Sequence, residues 1–391
     1  MDRRKFLRNG LALGCSAAAS PVLTQMAFAS APWDTRIVVL ILRGAMDGLD
    51  VVQPYGDPAY AALRPSLGLG PAGGALDLDG FYALHPALDR LMPLWHAGQL
   101  GFAHAVSTPY RDKRSHFDGQ DLLEAGGDTV GGLRDGWLNR LMTATPAVTA
   151  EAAYAIGRDH MLILSGDAPV SRWSPEAQLT LTPQAKRLLE RVYEGDPLFE
   201  QASTEAVMIA ESLAAEEESP MSDAAARRGT VALAKFAASR LRDESRIASF
   251  SLAGWDTHVR QAQSLPRALH GLADVILTLQ QELGPVWDKT AVIALTEFGR
   301  TARENGDRGT DHGTGGVMLT AGGAIRGGRV IGAWPGLGEG DLYADRDLMP
   351  TRDVRALAGW VLRSLIGTEA SVLETSVFPG VDLGEDPGFL S

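Results

Sequence analysis

Arg36-Ile-Val-Val-Leu-Ile-Leu42, followed at once by Arg43-Gly44, decides the fold. A strand with one wet face alternates apolar and polar residues. A continuous apolar, β-branched run instead marks a strand covered on both faces, as in parallel sheets flanked by helices. Outward from it, the stretches from Leu100 to Val106, Arg246 to Leu252, Thr290 to Leu295 and Gly316 to Ala321 read as further strands. Between them lie helical patterns around His85 to His96, from Ser115 to Gly126 and from Pro266 to Leu283; a last one runs from Asp353 to Ile366, with Ser115 and Asp353 as capping residues. The region from about 173 to 242 is rich in Ala, Glu, Leu and Arg and reads as a helical insertion over the sheet. Alternating strands and helices predict an α/β sandwich with a mostly parallel sheet, in a single domain over 30–391.

The first 29 residues read differently. Arg3, Arg4, Lys5 and Arg8 form a basic head, a broken apolar run follows from Leu11 to Phe28, and Ala27-Phe28-Ala29 offers a small-x-small cleavage pattern. The run is interrupted by Gly14, Ser16, Ser20 and Pro21, whereas a bilayer span takes about 20 predominantly apolar residues. Paired arginines followed by Lys5-Phe6-Leu7 predict a twin-arginine signal, read by its translocase, and a periplasmic or secreted product. Cleavage after Ala29 removes Asp2 and the four basic residues and takes the formal charge from -12 to -15. So acidic a chain lacks the basic face that nucleic-acid phosphates require. The single cysteine, Cys15, leaves with the leader, so any metal in the mature chain must be held by oxygen and imidazole.

In parallel sheets, sites gather beyond the carboxyl ends of the strands. Asp47 lies in the turn after the first strand, where glycine and aspartate also serve as ordinary turn residues. Ser115, with His116 beside it, opens a helix; the positive helix end suits anion binding or an activated nucleophile, and plain capping is the alternative. Asp256 and His258 are two apart, so in extended backbone both face one side. Glu297 follows a strand, and Asp311-His312 is framed by glycines. Two imidazoles and several carboxylates suit zinc, or else manganese, magnesium or calcium, bound without thiols. Arg43, Arg111 and Arg300 are candidates for clamping an anionic substrate bidentately. His85, His96, His104, His160 and His270 lack such a setting and read as ordinary core or surface residues.

Seven motifs together resemble the domain of unknown function 1501 family. They are Leu-Arg-Gly-Ala-Met-Asp-Gly-Leu-Asp at 42–50, Pro-Tyr-Arg at 109–111, Ser-His-Phe-Asp at 115–118, Asp-Gly-Trp-Leu-Asn-Arg at 135–140, Asp-Thr-His at 256–258, Thr-Glu-Phe-Gly-Arg at 296–300 and Asp-His-Gly at 311–313. The resemblance spans essentially the whole chain after the leader. That family in turn resembles the alkaline phosphatase and sulfatase superfamily. The resemblance implies a three-layer α/β/α sandwich, one or two divalent ions, and a hydroxyl at a helix start that attacks phosphorus or sulfur. Ser115 is then similar to the nucleophile, Asp256 and His258 to first-metal ligands, Glu297 to a strand-end ligand of a second metal, and His312 to a late histidine ligand. Two positions depart from the superfamily pattern: Arg43 stands where the first strand normally ends in a metal-binding Asp, and Phe298 where a His is expected. The function so implied is an exported metal-dependent hydrolase of a phosphate or sulfate ester. The alternative is a non-catalytic periplasmic binding or assembly protein on the same fold.

Overall fold

A computed structural model describes residues 27–30, 33–68, 70–111, 113–145, 155–156, 161–168, 223–243 and 245–389. Five strands form the body of its main sheet: β1 (Arg36–Leu42), β2 (Leu100–Ser107), β3 (Ser245–Leu252), β4 (Thr290–Leu295) and β5 (Gly316–Ala321). Their order is β3-β1-β4-β5-β2, and short strands extend both edges. Ala27–Ser30 and Ala155–Ile156 pair with β3, while Val330–Ile331 and Arg352–Asp353 pair with β2. Every residue of β1 is buried, so both of its faces are covered, and each such aliphatic side chain removes enough apolar surface to stabilise by about 1.5–3 kcal/mol.

β1 runs parallel to β3 and β4, but β5 is antiparallel to both β4 and β2. The sheet is therefore mixed: of the five main strands, β5 alone runs against the others. A parallel return needs a crossover, usually a helix. Between β4 and β5 the loop over 296–315 carries no helix and turns the chain back beside its own strand. The glycine- and polar-rich loop that drew attention for its chemistry is thus also the cause of the reversal.

The helices follow their patterns with shifted ends. α1 (His116–Ala125) starts behind Ser115, whose hydroxyl accepts from the Asp118 amide, and stops at Gly126 in the left-handed region. α2 (Trp137–Ala144) follows it. Residues 173–222 of the expected insertion lie outside the described residues, and 223–242 form α3 (Asp223–Arg242). α4 (Gln261–Leu283) begins ahead of Pro266; it buries Leu265, Leu269, Leu272, Ile276, Leu279 and Leu283 at alternating spacings of four and three, and packs on α3. α5 (Val354–Ile366) is capped by Asp353. The helix expected around His85 to His96 is instead a 3-10 turn, Pro86–Leu91, followed by the short helix Met92–His96. Pro93 lacks the N–H that a continuous helix would use there. Among the described residues, no helix is long and apolar enough to cross a membrane. Of the expected leader, residues 1–26 lie outside the described residues.

Candidate functional site

Three parallel strands aim their carboxyl ends at one place. Beyond β1 comes Arg43-Gly44, beyond β3 Trp255-Asp256-Thr257-His258, and beyond β4 Thr296-Glu297-Phe298-Gly299-Arg300. Two devices hold these turns together. Gly44 sits at φ +120, and a Cβ there would stand 2.6 Å from the Asp256 amide nitrogen, so only glycine lets the turns touch. Arg300, its side chain fully buried, donates Nε to Ala45 O (2.7 Å) and Nη1 to Thr310 O (3.0 Å). Its Nη2 reaches Gly44 O, Trp255 O and Asp256 Oδ1 at 2.5, 3.0 and 2.7 Å. The guanidinium is a strut among three turns.

Asp256, His258, His312 and His116 meet above that strut. Asp256 Oδ1 lies 3.0 Å from His258 Nε2 and 3.2 Å from His312 Nε2, and its Oδ2 lies 3.5 Å from His116 Nε2. His258 Nε2 and His312 Nε2 are 2.9 Å apart. His312 Nδ1 is 2.9 Å from the Arg114 carbonyl oxygen, which can only accept, so the ring proton sits on Nδ1 and Nε2 presents a lone pair. His116 repeats the arrangement: its Nδ1 donates to Glu297 Oε1 at 2.8 Å, and its buried Nε2 has no hydrogen-bond partner. Glu297, fully buried, lies behind His116; the same Oε1 also accepts from the Gly44 amide (2.9 Å) and Gln120 Nε2 (3.0 Å). Phe298 fixes the ring planes, with its centroid 5.3 Å from that of His116 and 5.1 Å from that of His312.

The electrostatics follow these partners. Glu297's hydrogen bond raises His116 above the usual imidazole value against the opposing effect of burial. Burial lowers His312. For Asp256 burial pulls upward, but the Arg300 hydrogen bond and charge, with His312, prevail and hold its carboxyl below the usual range. Glu297 is likewise held low by its donors in spite of burial.

Donors from His116, Asp256 and His312 converge within 4.8 Å of one another. Around an ion with bonds of about 2.0–2.2 Å, tetrahedral donors stand a little over 3 Å apart. Asp256 stands 3.2 Å from His312 and 3.5 Å from His116, close to that value, and the three donors together lie within 4.8 Å. Histidines whose far nitrogen is tied to a carboxylate or carbonyl are also how proteins orient metal ligands. The donor set fits a divalent ion.

Of the residues singled out from sequence, Asp256, His258, His312 and His116 come together, with Glu297 and Arg300 directly behind. Asp311 stands to one side, its Oδ1 3.3 Å from His258 Nδ1. Ser115 lies between Arg114, which holds His312, and His116; the contact of its hydroxyl is with the Asp118 amide. Asp47 lies elsewhere, buried against Arg64 Nη1 at 2.5 Å. Arg43 bonds Gln120 and Glu124, at 2.7 and 2.6 Å. Arg111 turns back onto the carbonyls of Thr108 (2.5 Å) and Tyr110 (2.8 Å). Sequence reasoning missed Gln120, although four residues past His116 on a helix is the same face. It also missed Arg64 and Gln261, which carry no local signal. His104 is core: its Nε2 lies 3.0 Å from Val52 O, and burial pushes it down to about 4.

Fold and site define an α/β protein with a histidine–carboxylate cluster at the carboxyl ends of its parallel strands. The family model described as "Protein of unknown function (DUF1501)" matches residues 95–375, and the chain belongs to that family. No curated protein and no solved structure matches it.

Proposed function

We propose that the protein is an exported metal-dependent hydrolase of a phosphate or sulfate ester. The observation that carries this reading is the pair of imidazoles, His116 and His312, each holding its proton on the far nitrogen and turning a lone pair toward Asp256. In the neutral rings two such lone pairs and a carboxylate repel one another, and a cation among them, proton or metal ion, relieves that repulsion. His116, Asp256, His258 and His312 would hold it, with zinc as the first candidate and manganese, magnesium or calcium as others. A bound divalent ion supplies neutralisation of an anionic ester and a lowered pKa for a coordinated hydroxyl or water. Glu297 keeps His116 oriented, and Arg300 fixes Asp256 rather than clamping substrate. Ser115, beside His116 at the start of α1, is the candidate nucleophile, and the α1 amides favour negative charge beside it. An alkaline phosphatase-like three-layer sandwich is the fold reading that goes with this site, in keeping with the doubly covered β1 strand. Export by the twin-arginine route would deliver the folded, loaded protein to the periplasm or beyond.

A second reading, a non-catalytic binding or assembly protein, is favoured by one observation. Arg43, Arg111 and Arg300 all bond protein groups, the first two with further interactions besides those given above. Elemental analysis of purified protein, followed by a screen of phosphate and sulfate esters, separates the two. The hydrolase reading expects about one or two equivalents of divalent metal, with ester hydrolysis lost in Ser115→Ala and His312→Ala. Metal without any hydrolysis supports the binding protein. Absence of bound metal, with hydrolysis indifferent to both substitutions, would falsify the metal-dependent mechanism.

A further inference from the structure

Beneath the cluster lies a second, wholly buried polar network centred on Gln261, the first residue of α4. Its amide is saturated. Nε2 donates to Asp47 Oδ2 (2.6 Å) and Asp50 Oδ2 (2.7 Å), and Oε1 accepts from the hydroxyls of Thr257 (2.9 Å) and Thr310 (2.7 Å). Two carboxylates at one end and two hydroxyls at the other leave the amide only one satisfying orientation. The carboxylate end is anchored in turn: Arg64 pairs with Asp47 and donates its other nitrogens to Ala302 O (2.9 Å) and Thr301 O (2.6 Å).

The two hydroxyls are placed where spacing matters. Thr257 stands between Asp256 and His258, and Thr310 immediately precedes Asp311-His312. The Thr310 amide also bonds the Thr257 carbonyl at 3.2 Å, so the two loops touch at this point. The imidazoles that approach to 2.9 Å come from these same loops. We infer that Gln261 is a positioning residue of the site: its amide, braced on the Asp47–Arg64 pair and Asp50, acts with Arg300 to set the distance between the His258 loop and the His312 loop. This rests on the metal-centre reading and adds to it a residue that touches no ligand. A well-ordered buried amide is suited to this, because losing any arm leaves a buried donor or acceptor unmatched and lets one loop shift.

The test is the affinity of the full-length protein for Zn2+, measured by competition with a chelator at a temperature where every variant is folded. Gln261→Met keeps the volume and removes all four hydrogen bonds; Thr310→Val removes one arm alone and carries the test where Gln261→Met does not fold. Asn139→Ala is the control. Asn139 is an equally buried amide away from the site, bonded to Leu164 O and Ala168 O at 3.0 and 2.9 Å. Positioning predicts Zn2+ affinity lower by about 10–100-fold in Gln261→Met, a smaller loss in Thr310→Val, and wild-type affinity in Asn139→Ala despite its lower melting temperature. Should wild type bind Zn2+ and the two site variants bind it equally well, Gln261 has no positioning role while the metal centre stands. Should wild type itself bind no Zn2+, Mn2+, Mg2+ or Ca2+, the metal centre fails and takes the positioning role with it.

Discussion

At the scale of single residues, charge is managed behind the cluster rather than in it. Glu297 accepts three hydrogen bonds at one oxygen, from His116, Gly44 and Gln120, with no exposure to water. Glu297→Gln can keep an oxygen in that position; it loses the charge and turns the oxygen that accepts from the Thr296 hydroxyl into an amide donor. Its cost in stability should stay near 1 kcal/mol, whereas Glu297→Ala strands three donors, the buried Gly44 amide among them, and should cost more, about 1–3 kcal/mol. In the metal-free protein, removing the carboxylate should let the His116 pKa fall toward its ordinary value, followed by NMR of the ring; an unmoved titration would mean that the Glu297 bond does not orient that imidazole. Asp50 gives the complementary case. Burial first, and the Asp47 charge second, raise it from 3.8 to about 7. A raised folded-state pKa contributes stability that is fully present below about 4 and is lost as pH climbs through about 7. Asp50→Asn imitates the protonated form, so its stability relative to wild type should grow between pH 4 and pH 8, by something on the order of a few kcal/mol. Denaturant melts of both proteins across that range check it; parallel curves would show that Asp50 titrates in the folded protein as it does in the unfolded chain.

At the scale of elements, the site depends on a hairpin-like contact inside the loop between β4 and β5. The Gly299 amide bonds Thr314 O at 3.0 Å, the Gly313 amide bonds Gly299 O at 2.8 Å, and the Thr301 amide bonds Asp311 O at 2.9 Å. A Cβ at Gly299 would come within 1.8 Å of Gly315 O, and backbone cannot yield as a side-chain tip can. Gly299→Ala should therefore cost about 1–3 kcal/mol or more and loosen the Arg300–His312 register, lowering metal affinity beyond the effect on stability. A variant with reduced melting temperature but unchanged affinity would confine the glycine to a folding role. The same elements explain what could be read in advance. Strands such as Arg36–Leu42 and caps such as Ser115 and Asp353 are local statements, and the structure has them where the pattern places them. The reversal of β5 was hidden because strand direction depends on how the loop over 296–315 folds on itself. Asp256, His258 and His312 stood out because they follow strand ends, where the sites of parallel sheets gather. His116's place in the cluster and Asp47's pairing with Arg64 are long-range contacts, and no spacing along the chain encodes them.

At the scale of the molecule, the cluster joins the start of α1, the turn after β3 and the loop before β5, segments far apart in the chain. An ion bound to all three binds only the folded state, so it adds RT ln(1 + [L]/Kd) to stability, about 2.7 kcal/mol at 100 times Kd. In a protein of this size that is worth several degrees of melting temperature. The purified protein should melt several degrees lower in excess EDTA, recover on addition of Zn2+, and show no EDTA effect as His312→Ala. The control matters because the chain is acidic, with formal charge -12, and divalent cations also screen a negative surface. Screening is weak, non-saturable and blind to His312; site binding saturates at low stoichiometry and vanishes with that imidazole. A wild-type response that survives His312→Ala would assign the stabilisation to surface charge. A response confined to the wild type would show that three distant segments are held by one ion through imidazole and carboxylate, since the chain's single cysteine, Cys15, belongs to none of them.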